Sequence, residues 1–146
     1  MKERYLRSIR LLAECYHAFE QLSGAHVRTF DLTPSQFDII ATLGNTAGMT
    51  FKELGEKTLI TKGTLTGVVD RLESKGLVRR ICKTEDRRST VVQLTVAGAR
   101  EFDRVFQQQV QFCKEPFSYY RAPAFASLER ELGPLKVHLT ASGAKK

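Results

Sequence analysis

The sequence predicts a mainly α fold (α+β): a winged helix-turn-helix domain flanked by N- and C-terminal helices. Three observations predict it. Two threonine-led capping boxes open short helices at Thr33 and Thr50. A third helix ends at Gly76 and gives way to two β-branched segments around a basic tip. Long amphipathic segments stand on either side.

The elements follow in order. Leu6, Ile9, Ala13, Tyr16 and Glu20 fall at helical spacing, widened by Tyr5, Leu12 and Phe19 into an apolar face that needs a partner. Thr33-Pro34-Ser35-Gln36 starts a helix with a cap, a proline at the first helical position and the return arm of a capping box. Phe37, Ile40 and Ala41 supply its buried side, and residues 44–48 end it. Thr50-Phe51-Lys52-Glu53 opens a short helix to about Lys57. After the tight link Thr58-Leu59-Ile60, Thr61 caps a helix to about Lys75, where Gly76 takes a left-handed cap and Leu77 packs behind it.

Val78–Cys82 and Thr90–Leu94 read as strands, with 83–89 as the polar loop of a hairpin. Thr95 caps the next helix, which turns Phe102, Val105, Phe106 and Val110 inward. Ala122-Pro123 opens the last one, where Phe125, Leu128, Leu132, Leu135 and Leu139 repeat at 3-4-3-4 spacing as a partner-seeking seam. Pro134 removes a donor and crowds the preceding turn, so a kink or break is expected near Gly133. The expected divisions are residues 1–30, 31–95 and 96–146.

Composition narrows the class. The 146 residues carry 23 Lys+Arg against 16 Asp+Glu, a net charge of +7, which suits a polyanionic partner. The excess concentrates: residues 28–100 hold 12 basic and 8 acidic groups, and five of the basic ones lie between Arg79 and Arg88. No apolar run approaches the roughly 20 residues of a membrane span, and no secretory leader is apparent, so no membrane partner is expected. Three widely spaced cysteines make neither a disulfide framework nor a CxxC zinc module, which points to the reducing cytoplasm. No metal-ligand spacing, phosphate loop or nucleophile elbow is present, so neither a cofactor nor an enzymatic activity is expected.

The helix from Thr61 has a peculiar outer face. Leu65, Val68, Val69 and Leu72 form its buried stripe. Opposite stand Gly63, Thr66, Gly67, Asp70 and Ser74, with Thr64 and Arg71 on the flanks. Ordinary exposed helix would carry Lys and Glu there. Read as two mid-helix glycines, Gly63 and Gly67 cost about 1 kcal/mol each, a cost that makes sense if a partner approaches closely. A DNA major groove admits one helix. Thr61, Lys62 and Thr64 then reach base edges or phosphates from the helix start. In the following hairpin Lys83, Arg87 and Arg88 suit a minor groove, with Asp86 orienting an arginine. A winged helix serving only protein interaction is the competing reading, but its contact face should be rich in aromatic residues or Met.

From Leu32-Thr33-Pro34-Ser35-Gln36-Phe37, through Val69-Asp70-Arg71-Leu72-Glu73-Ser74-Lys75-Gly76-Leu77-Val78-Arg79-Arg80, to Glu85-Asp86-Arg87-Arg88-Ser89 and Leu94-Thr95-Val96-Ala97-Gly98, the chain resembles the MarR family of winged-helix transcription regulators. The resemblance covers about half the chain. It implies a homodimer, the N- and C-terminal helices interleaving as an α-helical dimerisation domain, and a repressor of palindromic double-stranded DNA operators. It assigns groove contact to Thr61, Lys62, Thr64 and Thr66, and a joint wing role to Asp86 and Arg88. It further implies release by a small aromatic or anionic effector between the arms and the DNA-binding lobe, or by cysteine oxidation. Arg10, Tyr16, His17 and His26 are candidates for such a pocket. Cys15 stands where a peroxide-sensing branch keeps its reactive thiol, and Cys113 is a candidate resolving partner. That branch has activating tyrosines downstream, whereas between Cys15 and Cys82 only the adjacent Tyr16 occurs, so Cys15 reads first as core filler.

Overall fold

A computed structural model describes residues 3–82 and 90–144. The elements run α1 (Arg4–Arg28), α2 (Pro34–Leu43), β1 (Met49–Thr50), α3 (Phe51–Thr58), α4 (Lys62–Ser74), β2 (Val78–Cys82), β3 (Thr90–Leu94), α5 (Val96–Lys114), a 3-10 helix (Glu115–Tyr119) and α6 (Ala122–Gly143). They divide into two compact units, Met1–Phe112 and Cys113–Lys146.

Local chemistry sets the helix starts in the first unit. In α2, Thr33 Oγ1 accepts from the Gln36 N–H at 3.2 Å while the Thr33 N–H donates to Gln36 Oε1 at 3.1 Å. In α3, Thr50 and Glu53 close the same loop. Each box meets donors a helix start otherwise leaves orphaned. Thr61 occupies the N-cap of α4 without capping by its side chain; its hydroxyl instead donates to Thr64 Oγ1 at 3.2 Å. At the other end Gly76 adopts φ +75°, the Leu77 N–H donates to Leu72 O and the Gly76 N–H to Glu73 O, a Schellman cap.

β1 is an element the propensities did not show. It pairs antiparallel with β3 (Met49 opposite Val92), which also pairs with β2 (Val78 opposite Leu94), giving the order β1-β3-β2. The core lies where α2, α3 and α4 meet this sheet. Ile39, Ile40, Leu54, Val69, Leu72 and Val92 are wholly buried there, with Val27 from α1 and Phe102 and Val105 from α5. Each such side chain contributes about 1.5–3 kcal/mol relative to exposure.

Two expectations about helix faces change. Val110 is exposed, and the inward position on that turn of α5 belongs to Gln109. Gln109 is only 3% exposed yet satisfied: its Nε2 donates to Ser23 O and Oγ at 3.0 Å each, and His26 Nδ1 donates to its Oε1 at 2.6 Å. His26 in turn stacks on Phe112 at 3.9 Å and meets Phe30 edge-on. Hydrogen bonding thus turns a polar residue inward on a helix whose periodicity favoured Val110. Secondly, Cys15 is exposed rather than core. The first four turns of α1 bury nothing, so the apolar stripe of Leu6, Ile9 and Tyr16 faces outward, and Cys15 with it.

In the second unit Phe125 packs near Phe117 and Tyr120. α6 runs unbroken through Pro134. Of the kink or break expected near Gly133, the break does not occur. The proline costs one backbone hydrogen bond, and on an exposed helix solvent can meet a carbonyl so orphaned. No residue of α6 is buried. Among the described residues no helix is long and apolar enough to cross a membrane.

Candidate nucleic-acid interface

α4 presents the face read from its sequence. Leu65, Val68, Val69 and Leu72 are buried, while Thr61, Lys62, Gly63, Thr64, Thr66, Gly67, Asp70 and Arg71 are exposed. A Cβ built on Gly63 or Gly67 would meet nothing within 4 Å. No described residue therefore requires either glycine. Gly63 stands in the first turn, so only Gly67 is truly mid-helix. The helix begins with N–H groups that lack intrahelical acceptors, beside Lys62 and the Thr61–Thr64 hydroxyl pair. This end suits an anion.

Arg80 on β2 ties the recognition helix to the wing. Its guanidinium pairs with Asp70 of α4 and lies 5.5 Å over the Phe51 ring of α3. Arg79 donates twice to Gln93 Oε1, and Gln93 Nε2 donates to Ala47 O at 2.9 Å. Lys75 Nζ, at the far end of α4, donates to Asp31 O at 2.9 Å and to Gln36 Oε1 at 3.2 Å. Asp70, Arg80, Gln93 and Lys75 thus fix the lobe's geometry. Nothing in the sequence singles them out for such a role; Asp70 reads there as part of the outer face and of the stretch that carries the family resemblance. At the wing's base, Cys82 and Thr90 face each other, Sγ to Oγ1, at 3.4 Å. The wing candidates Lys83, Asp86, Arg87 and Arg88 lie outside the described residues.

A cleft of about 630 Å³ opens between α3 and α4, lined by Phe51, Ile60 and Leu65 with Lys52, Lys62 and Thr66 at its edge. Leu59 stands in the adjoining turn, 79% exposed at φ +60°. For a branched side chain that conformation costs about 1 kcal/mol.

A second cleft, of about 400 Å³, lies between α1 and α2. Tyr16 and His17 line it together with Glu20, Arg28, Phe37 and Asp38. Arg10 does not; it pairs with Glu14 one turn on, at 2.7 Å in solvent. His26 is engaged with Gln109 and Phe112 instead. Burial, then the neighbouring Glu20, push the Asp38 carboxyl up to about 6. Burial, hydrogen bonding to Glu20 and the two carboxylate charges raise the Tyr16 phenol. Glu20 was visible in sequence one turn after Tyr16; Asp38 gave no signal, because only the packing of α2 on α1 brings it there. Cys82 is exposed and Cys113 half-buried. Among the described residues no three His, Cys, Asp or Glu side chains gather as a metal site would require.

These features have close counterparts. The MarR family model matches residues 32–90, from the α2 start into β3. The transcriptional regulator PecS of Dickeya dadantii is 32% identical over 113 residues, spanning 75% of this chain and 68% of PecS. The crystal structure of AbsC, a MarR family regulator from Streptomyces coelicolor, superposes with a TM-score of 0.85 at 23% identity, covering 97% of both chains. A MarR mutant from E. coli, crystallised with operator DNA, superposes with a TM-score of 0.74 at 29% identity, over 86% of this chain and 91% of that one. With α4 bare, its turn and strands in winged-helix order and relatives that are regulators rather than enzymes, the chain belongs to the MarR family of DNA-binding transcriptional regulators.

Proposed function

We propose that the protein is a cytoplasmic homodimeric repressor that binds a palindromic operator and leaves it when a small molecule enters the α1–α2 cleft. Its α4 enters the major groove, with Thr61, Lys62, Gly63, Thr64, Thr66 and Arg71 at or near the DNA. The wing residues Lys83, Arg87 and Arg88 follow the minor groove, Asp86 holding an arginine in place. The bare face of α4 carries this reading: two glycines point into open space on a helix that otherwise packs well. The uncovered apolar residues of α1 (Tyr5, Leu6, Ile9) and of α6 (Leu128, Val137, Leu139) favour a second copy of the chain as their cover.

Gel-shift titration against duplexes selected from a random pool tests the reading. Binding should fall steeply with salt, as counterion release requires. Arg88→Ala should cost about tenfold or more in affinity. Unchanged affinity would remove the wing from the interface, and a monomer by light scattering would remove the dimer.

A second reading, oxidation of Cys15, gains from the thiol's exposure on α1. Peroxide-driven DNA release that persists in Cys15→Ser excludes it.

A further inference from the structure

The α1–α2 cleft has an electrostatic character of its own. Across it, Glu20 of α1 and Asp38 of α2 face the same space, and Tyr16, Phe19 and Phe37 supply aromatic walls. Of the lining groups only Arg28 carries a permanent positive charge, beside the titratable His17. The Arg28 guanidinium folds back along its own helix, so that a Cβ on Gly24 would lie 3.1 Å from its Nη1. The ion pairs among the described residues are Arg10–Glu14, Asp70–Arg80 and Glu101–Arg104; neither Glu20 nor Asp38 belongs to one. Glu20 and Asp38 are both exposed residues, so two carboxylates share an open cleft with no described cation within ion-pair distance of either.

We propose that this cleft selects an organic cation, a protonated or quaternary amine on an aromatic or aliphatic body, over an organic anion. The proposal rests on the reading of this cleft as the effector site; of the aromatic or anionic effectors that family resemblance implies, it keeps the aromatic body and departs from the anionic charge. An ammonium group placed between Glu20 and Asp38 is attracted by both and relieves their mutual repulsion. The aromatic faces add cation–π attraction, and they wrap the apolar body of the ligand at the same time. A ligand carboxylate in the same place adds a third negative charge, with Arg28 alone to offset it. Burial is the main cause of the raised proton affinity of Asp38; the Glu20 charge, the second cause, acts in the direction this surplus of negative charge requires.

Three probes of similar size test the selectivity on the full chain: benzyltrimethylammonium, benzyl alcohol and benzoate. Calorimetry at pH 7.5 reads their affinities, and fluorescence anisotropy of a labelled operator reads DNA release. The cation should bind about tenfold more tightly than benzoate. Asp38→Asn and Glu20→Gln, each checked for folding by circular dichroism, should each lower cation affinity by about threefold to tenfold and shrink the preference. Benzoate binding as well as the cation overturns the proposal and leaves the effector cleft standing. Cation binding that survives both substitutions places its site elsewhere and also overturns it, as does binding of none of the three probes. Selective, carboxylate-dependent cation binding without DNA release supports the selectivity and refutes the effector reading.

Discussion

Filling the bare face of α4 should separate stability from DNA affinity. Gly67 lies mid-helix, where alanine is favoured over glycine by about 0.8–1.0 kcal/mol. Gly63, in the first turn, stands to gain roughly half as much. A Cβ at either site meets nothing within 4 Å, so no packing cost is subtracted. Gly63→Ala/Gly67→Ala should therefore stabilise the fold by about 1.5 kcal/mol and raise the melting temperature by roughly 5 °C. DNA binding should move the other way. Gly67→Leu retains most of the helix gain but projects a branched side chain from the exposed face. In a groove that admits one closely fitting helix, the clash should weaken operator binding by about tenfold or more. Thermal melts and anisotropy titrations at one fixed salt concentration read the two quantities in the same samples. Gly67→Leu that melts at or above the wild-type temperature and binds DNA with wild-type affinity would refute the assignment of this face to the groove.

Three further substitutions probe the supports of the lobe. Gly98→Ala places a Cβ 1.9 Å from the Leu77 carbonyl oxygen, a backbone atom that cannot rotate away; urea unfolding should show a loss of about 3 kcal/mol or more. Gln109→Leu leaves Ser23 O and His26 Nδ1 without the partner that bridges α1 and α5, and should cost about 2–3 kcal/mol in the same assay. Asp38→Asn tests the raised carboxyl. Its folded value, about 6, lies above the ordinary 3.8, so the fold favours the protonated form. The stability this contributes is full below about pH 4 and is lost as pH rises through about 6. Above pH 7 the asparagine variant should therefore be the more stable, with the advantage vanishing below pH 4. The carboxyl keeps contact with solvent, so a full shift of about 3 kcal/mol is discounted to about 1 kcal/mol.

What the sequence made legible is what local chemistry decides. The capping boxes at Thr33 and Thr50 span four residues each, and both close as their residue types require. Gly76 takes the left-handed conformation because the Schellman hydrogen bonds need it. The buried stripe of α4 follows from helical period alone. What escaped depends on contacts between elements. The periodicity of α5 favoured Val110 over Gln109, and only Ser23 and His26 on another helix reverse the choice. Arg80 looked like one more basic residue of the wing, yet Asp70 and Phe51 make it a brace. Asp38 joins Glu20 only through the packing of α2 on α1. Pro134 does not end α6, since one missing bond on an exposed helix is a smaller loss than a broken helix.

The order β1-β3-β2 gives the lobe the mechanics of a caliper with a locked joint. The central strand is hydrogen-bonded both to β2 and to β1, and β1 runs directly into the Thr50 cap of α3. Arg80 adds a clamp from β2 to α4. The strands that carry the hairpin therefore cannot swing without carrying α3 and α4 along. Strand pairing and the Arg80–Asp70 pair thus couple the helical tip to the base of the hairpin. Under the proposed groove contacts and dimer, variation between target sequences is then absorbed by bending of the duplex or by movement of whole lobes.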